Sequence, residues 1–259
     1  MLVPLAVALA AGVGSCTQIG TNPSVVTALE FDILPYPAVV SGDTLRDSLG
    51  KAAPLHAIAF NGAGGVIANA SITYLALDSG LTIDPTGIVT AQLRNGTVRV
   101  IASAPGLQSA VETLIVARRP DTVFATSALV DTLAFTIPDS ASNVVSGLGL
   151  TVATRDTAGG IAGTQGWLVS YRLLYHGLPI PVTDTTVAAL WNAASKPALL
   201  DTTAADGTVA PKLRIWSTRL PLTTDTITVV ASVRYHGAPV PGSPVTYLIQ
   251  IHPTKPKAH

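Results

Sequence analysis

The same histidine setting occurs twice in this chain: "YHGLPIPV" from Tyr175 and "YHGAPVPGS" from Tyr235. Imidazole is the side chain best suited to proton transfer and metal binding near neutral pH. A repeated Tyr-His-Gly-x-Pro-x-Pro therefore raises the question of a paired metal or acid–base site. The remaining residues give it no support. The five histidines are His56, His176, His236, His252 and His259, and none forms an H-x-H, H-x-x-x-H or C-x-x-C cluster with ligand spacing. A Gly-x-Ser-x-Gly elbow, a Walker loop and a dinucleotide glycine pattern are all missing. Glu occurs only at Glu30 and Glu112. The Asp residues fall mostly in turns, such as Asp84 before Pro85 and Asp206 before Gly207, where a carboxylate bonds nearby backbone N–H groups. "LLDTTAADGTV" from Leu199 lacks the alternating oxygen ligands and the terminal acid of a calcium loop. The expectation is a non-catalytic protein with no catalytic residue, no metal ligand and no cofactor other than a covalent lipid. Tyr175, His176, Pro179, Tyr235, His236 and Pro239 are then the predicted partner-contact positions, on two Gly/Pro turns.

Composition narrows the class of partner. The chain has 259 residues, 48% hydrophobic and only 12% charged, with 15 basic and 15 acidic side chains. Average soluble domains carry about 25% charge. No basic field is present to attract nucleic acid. The polar surface must be built from Ser, Thr, Asn and Gln, which suits a β-protein outside the cytoplasm.

Residues 2–15, "LVPLAVALAAGVGS", are uncharged and precede Cys16, the only cysteine. The run reads as the apolar region of a secretory signal. Val13-Gly14-Ser15-Cys16 resembles a bacterial lipobox, which implies cleavage before Cys16 and lipid attachment to its thiol. A single cysteine excludes a disulfide framework.

Short β-rich runs punctuated by Gly, Pro, Asn and Asp fill the rest of the chain, with no sustained helical period. Three segments recur in order. "AGGVIANASITYLAL" from Ala63 matches "AGGIAGTQGWLVSYRLL" from Ala158. "DPTGIVTA" from Asp84 matches "AADGTVAP" from Ala204. The third match joins "GTVRVIASAPGLQSAVETLIV" to "DTITVVASVRYHGAPVPGSPVTYLIQI". A tandem duplication follows: a leader at 1–15, a tether at 16–27, a sandwich at 28–117, a linker at 118–122, a second sandwich with insertions at 123–253 and a tail at 254–259. Arg118-Arg119 reads as a solvated linker. Each block offers about seven short strands in roughly 100 residues, as an immunoglobulin-like sandwich requires. Val98, Val100 and Ala102 alternate with Thr97, Arg99 and Ile101, giving one core face and one wet face. Trp167 is the expected core aromatic of the second sandwich.

Asp84-Pro85-Thr86-Gly87-Ile88-Val89-Thr90-Ala91, followed by Gly96-Thr97-Val98-Arg99-Val100-Ile101-Ala102, resembles the bacterial immunoglobulin-like repeats of invasin and intimin type. The resemblance covers most of the first block and less of the second. It implies an all-β chain of two tandem immunoglobulin-like sandwiches, used as spacer, stalk or interaction module. The predicted function is a lipid-anchored, extracytoplasmic structural module with protein partners and no nucleic acid. The preferred version is an extrinsic subunit of a larger integral-membrane assembly, respiratory or photosynthetic for example. A surface adhesin or spacer, or a carbohydrate-binding module, is the alternative. Aromatics total only 5%, and no exposed cluster of them is visible in the sequence.

Overall fold

The structure, a computed structural model, describes residues 24–92, 95–136, 144–155, 158–184, 187–216 and 223–254. The leader and Cys16 lie outside the described residues. All regular elements among these residues are strands. Their pairings fall into two sets: among the described residues, none joins a strand ending by Ala117 to one beginning at or after Thr122.

In the N-terminal half, one sheet runs Ala38–Val40, Glu112–Ala117, Gly96–Ala104, Thr73–Ala76. Its first pair is parallel and the others antiparallel. Ala28–Phe31 pairs with Ala57–Phe60, and Leu81–Ile83 with Val89–Ala91, outside that sheet. The C-terminal half repeats the plan on a larger scale. Val130–Thr136 lies parallel to Val245–Thr254, which continues antiparallel through Asp225–Ser232 to Leu168–Tyr175. Thr122–Ala125 pairs with Leu150–Arg155, while Val144–Gly147, Lys212–Ile215 and Ala188–Trp191 form a further set. In each half an early strand thus lies parallel to the last one, and buried residues of both halves join in one hydrophobic cluster. The first strand of the second half starts at Thr122, which pairs with Ala153.

Alternation decides which residues fill that core. Val98, Val100 and Ala102 are fully buried, as are Val169, Leu173, Val229 and Ile249 on the matching strands. Ile101 departs from the pattern and is buried too, opposite Leu75 on the neighbouring strand.

The duplicated turn shows why its glycine recurs. Asp84 N–H donates to Ile88 O and Gly87 N–H to Asp84 O, while Ala204 N–H donates to Thr208 O and Gly207 N–H to Ala204 O. Both glycines have positive φ, 87° and 77°. A Cβ on Gly87 would meet Leu55 O at 3.0 Å, and one on Gly207 would meet Val152 O at 2.4 Å. Only glycine meets both the dihedral and the close approach. The carboxylate has moved within the turn: Asp84 accepts from Thr86 Oγ1 and Ile88 N, whereas Asp206 accepts from Thr208 N and Oγ1. The Thr86 hydroxyl, chiefly, holds the Asp84 carboxyl below the usual range. Both Asp residues are thus turn formers, as their contexts suggested.

Candidate functional site

Both Tyr-His-Gly stretches are tips of tight hairpins. Tyr175 pairs with Leu178 and Leu174 with Pro179; Tyr235 pairs with Ala238 and Arg234 with Pro239. Each loop is two residues, His-Gly, with positive φ at both: 51° and 77° for His176-Gly177, 52° and 77° for His236-Gly237. Positive φ at both central residues is the signature of the turn whose twist suits a hairpin. Pro179 and Pro239 therefore lie inside the short ladder. Each occupies a ladder position that needs no N–H. The second hairpin stands where Pro105-Gly106 stands in the first half, between Ala104 and Leu107.

The turn aims the two rings at one carboxylate oxygen. Tyr175 and His176 stack at 4.1 Å between centroids, and Tyr235 and His236 at 4.0 Å. Tyr175 Oη donates to Asp225 Oδ2 at 2.8 Å, and His176 Nε2 lies 2.7 Å from the same oxygen. Tyr235 Oη donates to Asp43 Oδ2 at 3.0 Å, and His236 Nε2 is hydrogen-bonded to that oxygen as well. An ionised carboxylate only accepts, so both imidazoles donate from Nε2. Burial works to raise the Asp43 carboxyl, but the bonds from His236, Thr44 N, Arg46 and Tyr235 outweigh it and hold it below the usual range. Asp225 is lowered in the same way against burial, by Tyr175, Thr226 N and His176. Burial, aided by the bond to Asp225, pushes the Tyr175 phenol up to about 12.

The two clamps differ in what they join. Asp225 belongs to the same half as its hairpin; Asp43 belongs to the other half. They also lie at opposite ends of one strand pair. Tyr175 is level with Ile227, while Tyr235 follows Ser232 on the same chain segment. Eight residues of extended chain separate these levels, roughly 26 Å. Two histidines on one metal ion must bring their nitrogens within about 4 Å. His176 and His236 therefore cannot share an ion, and the two turns do not share one pole.

Around the Asp43 clamp the halves pack closely. Trp167 lies 5.2 Å from Tyr36 and 6.1 Å from Tyr235 between ring centroids. Its indole Nε1 donates to Arg234 O, and Leu168 N donates to Tyr36 Oη at 2.9 Å. Trp167 is buried, as expected, but partly by an aromatic of the other half. Arg119 is not simply solvated either: its guanidinium sits 5.0 Å from the Tyr235 ring centroid. Backbone meets backbone as well, since a Cβ on Gly50 would fall 2.2 Å from His236 C. A tilted aromatic pair, a cation over a ring and a shared carboxylate each contribute about 1 kcal/mol. Together they hold the halves in one orientation.

A cleft of about 660 Å³ opens beside this contact, lined by Tyr36, Asp43, Arg46, Leu49, Trp167 and Arg172 among others. Among the described residues no group of three or more metal-ligating side chains occurs. One cluster escaped sequence reading: Arg214 lies 5.0 Å from the Trp191 ring centroid and 5.3 Å from that of Trp216. Lys212, Arg214 and Trp216 alternate with buried Leu213 and Ile215, which was the available signal; the pairing of Trp191 with Lys212 was not readable.

No family model and no curated protein matches the chain. Among solved structures it is similar to surface layer protein SbsC, domains 1-6 (14% identity, TM-score 0.31, 90% of this chain and 29% of that one). It is also similar to the Yersinia pseudotuberculosis adhesin InvE (12%, TM-score 0.31, 86% and 58%) and to Drosophila N-cadherin EC1-4 (11%, TM-score 0.31, 88% and 50%). The chain spans about a third of each of the two longer surface-layer fragments it matches. With scores near 0.3 these likenesses carry no argument about function, which is drawn from the residues.

Proposed function

We propose that the chain is a non-catalytic, extracytoplasmic structural module: two tandem immunoglobulin-like sandwiches, 28–117 and 122–254, clamped into one rigid body that presents surfaces to protein partners. The observation that carries this reading is the clamp of Tyr235 and His236 on Asp43. The residue types that looked most capable of chemistry are spent on fixing geometry. A rigid two-sandwich body suits a spacer or adhesive surface element, whose task is to hold a binding face at a set distance and angle. The leader and Cys16 support tethering by a covalent lipid. Mass spectrometry of the mature protein tests that anchor: a lipid-sized increment on Cys16, lost in Cys16→Ser, is expected, and an unmodified Cys16 overturns it. Gentle-detergent pull-down from native membranes separates the versions of the role. Free migration fits the spacer, and co-migration with a large membrane complex replaces it with the accessory-subunit reading.

The Trp191–Arg214–Trp216 stack favours a second reading, carbohydrate binding, because clustered part-exposed aromatics suit sugar faces. Glycan-array binding that Trp191→Ala abolishes would establish it.

A further inference from the structure

We propose that the cleft between the two halves binds a small amphipathic anion, an apolar or aryl body carrying a carboxylate or sulfonate group. Its volume, about 660 Å³, lies within the roughly 300–1,000 Å³ of small-molecule sites, which favour domain interfaces. The walls supply an apolar body's complement: Tyr36 and Leu49 from one half, Leu168 and Leu200 from the other. Leu49 and Leu200 lie on that cleft and are 66% and 53% exposed, so their side chains are open to a ligand.

Charge gives the sign of the ligand. Arg172 and Arg234 line the cleft, are exposed, and have no acidic partner among the described residues. The acids in the same walls are already engaged. Asp43 is held by His236, Tyr235 and Arg46, and Asp47 accepts from Leu49 N and Lys51 N. Arg46 spends Nη1 on Gly50 O and Nη2 on Asp43, yet its Nε–H is buried without an acceptor. In a chain with equal numbers of acidic and basic residues, this leaves an uncompensated positive spot beside apolar walls. Guanidinium groups pair with planar oxyanions through parallel N–H donors.

The test uses the full chain and two dyes of similar shape, anionic 8-anilino-1-naphthalenesulfonate and neutral N-phenyl-1-naphthylamine. The anionic dye should bind saturably, and Arg172→Gln with Arg234→Gln should weaken it about tenfold while changing the neutral dye less than twofold. In nuclear magnetic resonance titrations the Trp167 indole signal should move, and those of Trp191 and Trp216 should not. The proposal is overturned by absent saturable binding of the anionic dye, by equal effects of the double variant on both dyes, or by shifts confined to Trp191 and Trp216. Both arginines are exposed, so the variant is expected to fold; a circular dichroism melt within a few degrees of the parent confirms it.

Discussion

His236 and Asp43 meet across 193 residues of chain, the imidazole Nε2 hydrogen-bonded to the carboxylate Oδ2 that Tyr235 also holds. The identical device at His176 and Asp225 closes within one half. One clamp therefore ties the halves together, beside the Tyr36–Trp167 and Gly50–His236 contacts, and the other ties strands within its own half.

That difference makes a paired test. Asp43→Asn and Asp225→Asn each remove a charged acceptor shared by two donors, at a cost of about 1–3 kcal/mol. Asp43→Asn should loosen the junction without releasing it, since the Tyr36–Trp167 and Arg119–Tyr235 contacts remain, seen as a modestly broadened small-angle scattering envelope. Asp225→Asn should lower the melting temperature of the C-terminal half and leave the envelope unchanged.

Gly50 supplies a steric test of the same contact. Its φ of 84° and the 2.2 Å approach of a Cβ to His236 C leave no room for a side chain. Gly50→Ala should separate the halves locally and cost several kcal/mol, whereas Gly64→Ala, with positive φ but open space around it, should cost about 1 kcal/mol. Urea denaturation of the two variants distinguishes them; equal losses would contradict the contact.

Tyr36→Phe keeps the ring against Trp167 but removes the acceptor of Leu168 N. A loss of about 1 kcal/mol is expected, with faster amide hydrogen exchange at Leu168. Unchanged exchange there would argue against the bond.

The clamp also sets a pH response. Asp43 and Asp225 are held below the ordinary carboxylate value, about 3.9 for an unfolded Asp. A depressed carboxyl contributes stability that is complete above its unfolded value and is lost as pH falls through its folded value. The stability gap between the parent and Asp43→Asn should be full at pH 6 and shrink toward zero below about pH 4. A gap that does not change with pH would contradict the charged form of the clamp.

The fold class was legible because alternation and turn chemistry are local. The strands around Thr73–Ala76, Gly96–Ala104 and Glu112–Ala117, and the turns at Asp84 and Asp206, follow from residue type alone. Ala38–Val40 was missed, since three residues flanked by Pro37 and Ser41 carry no period, and its parallel pairing with Glu112–Ala117 is a long-range fact. The Tyr-His-Gly turns were recognised as turns, but the carboxylate that each one holds was not. Nothing near Tyr235 in the sequence points to Asp43, because the partner is chosen by how the halves dock. Trp167 was legible as a core aromatic, and only docking shows that Tyr36 completes its burial.

The most direct measurement is residual dipolar coupling of backbone amides in the two halves of the intact chain. One alignment tensor should fit both halves of the parent protein. Two tensors in the parent would contradict the rigid body on which the proposed role rests.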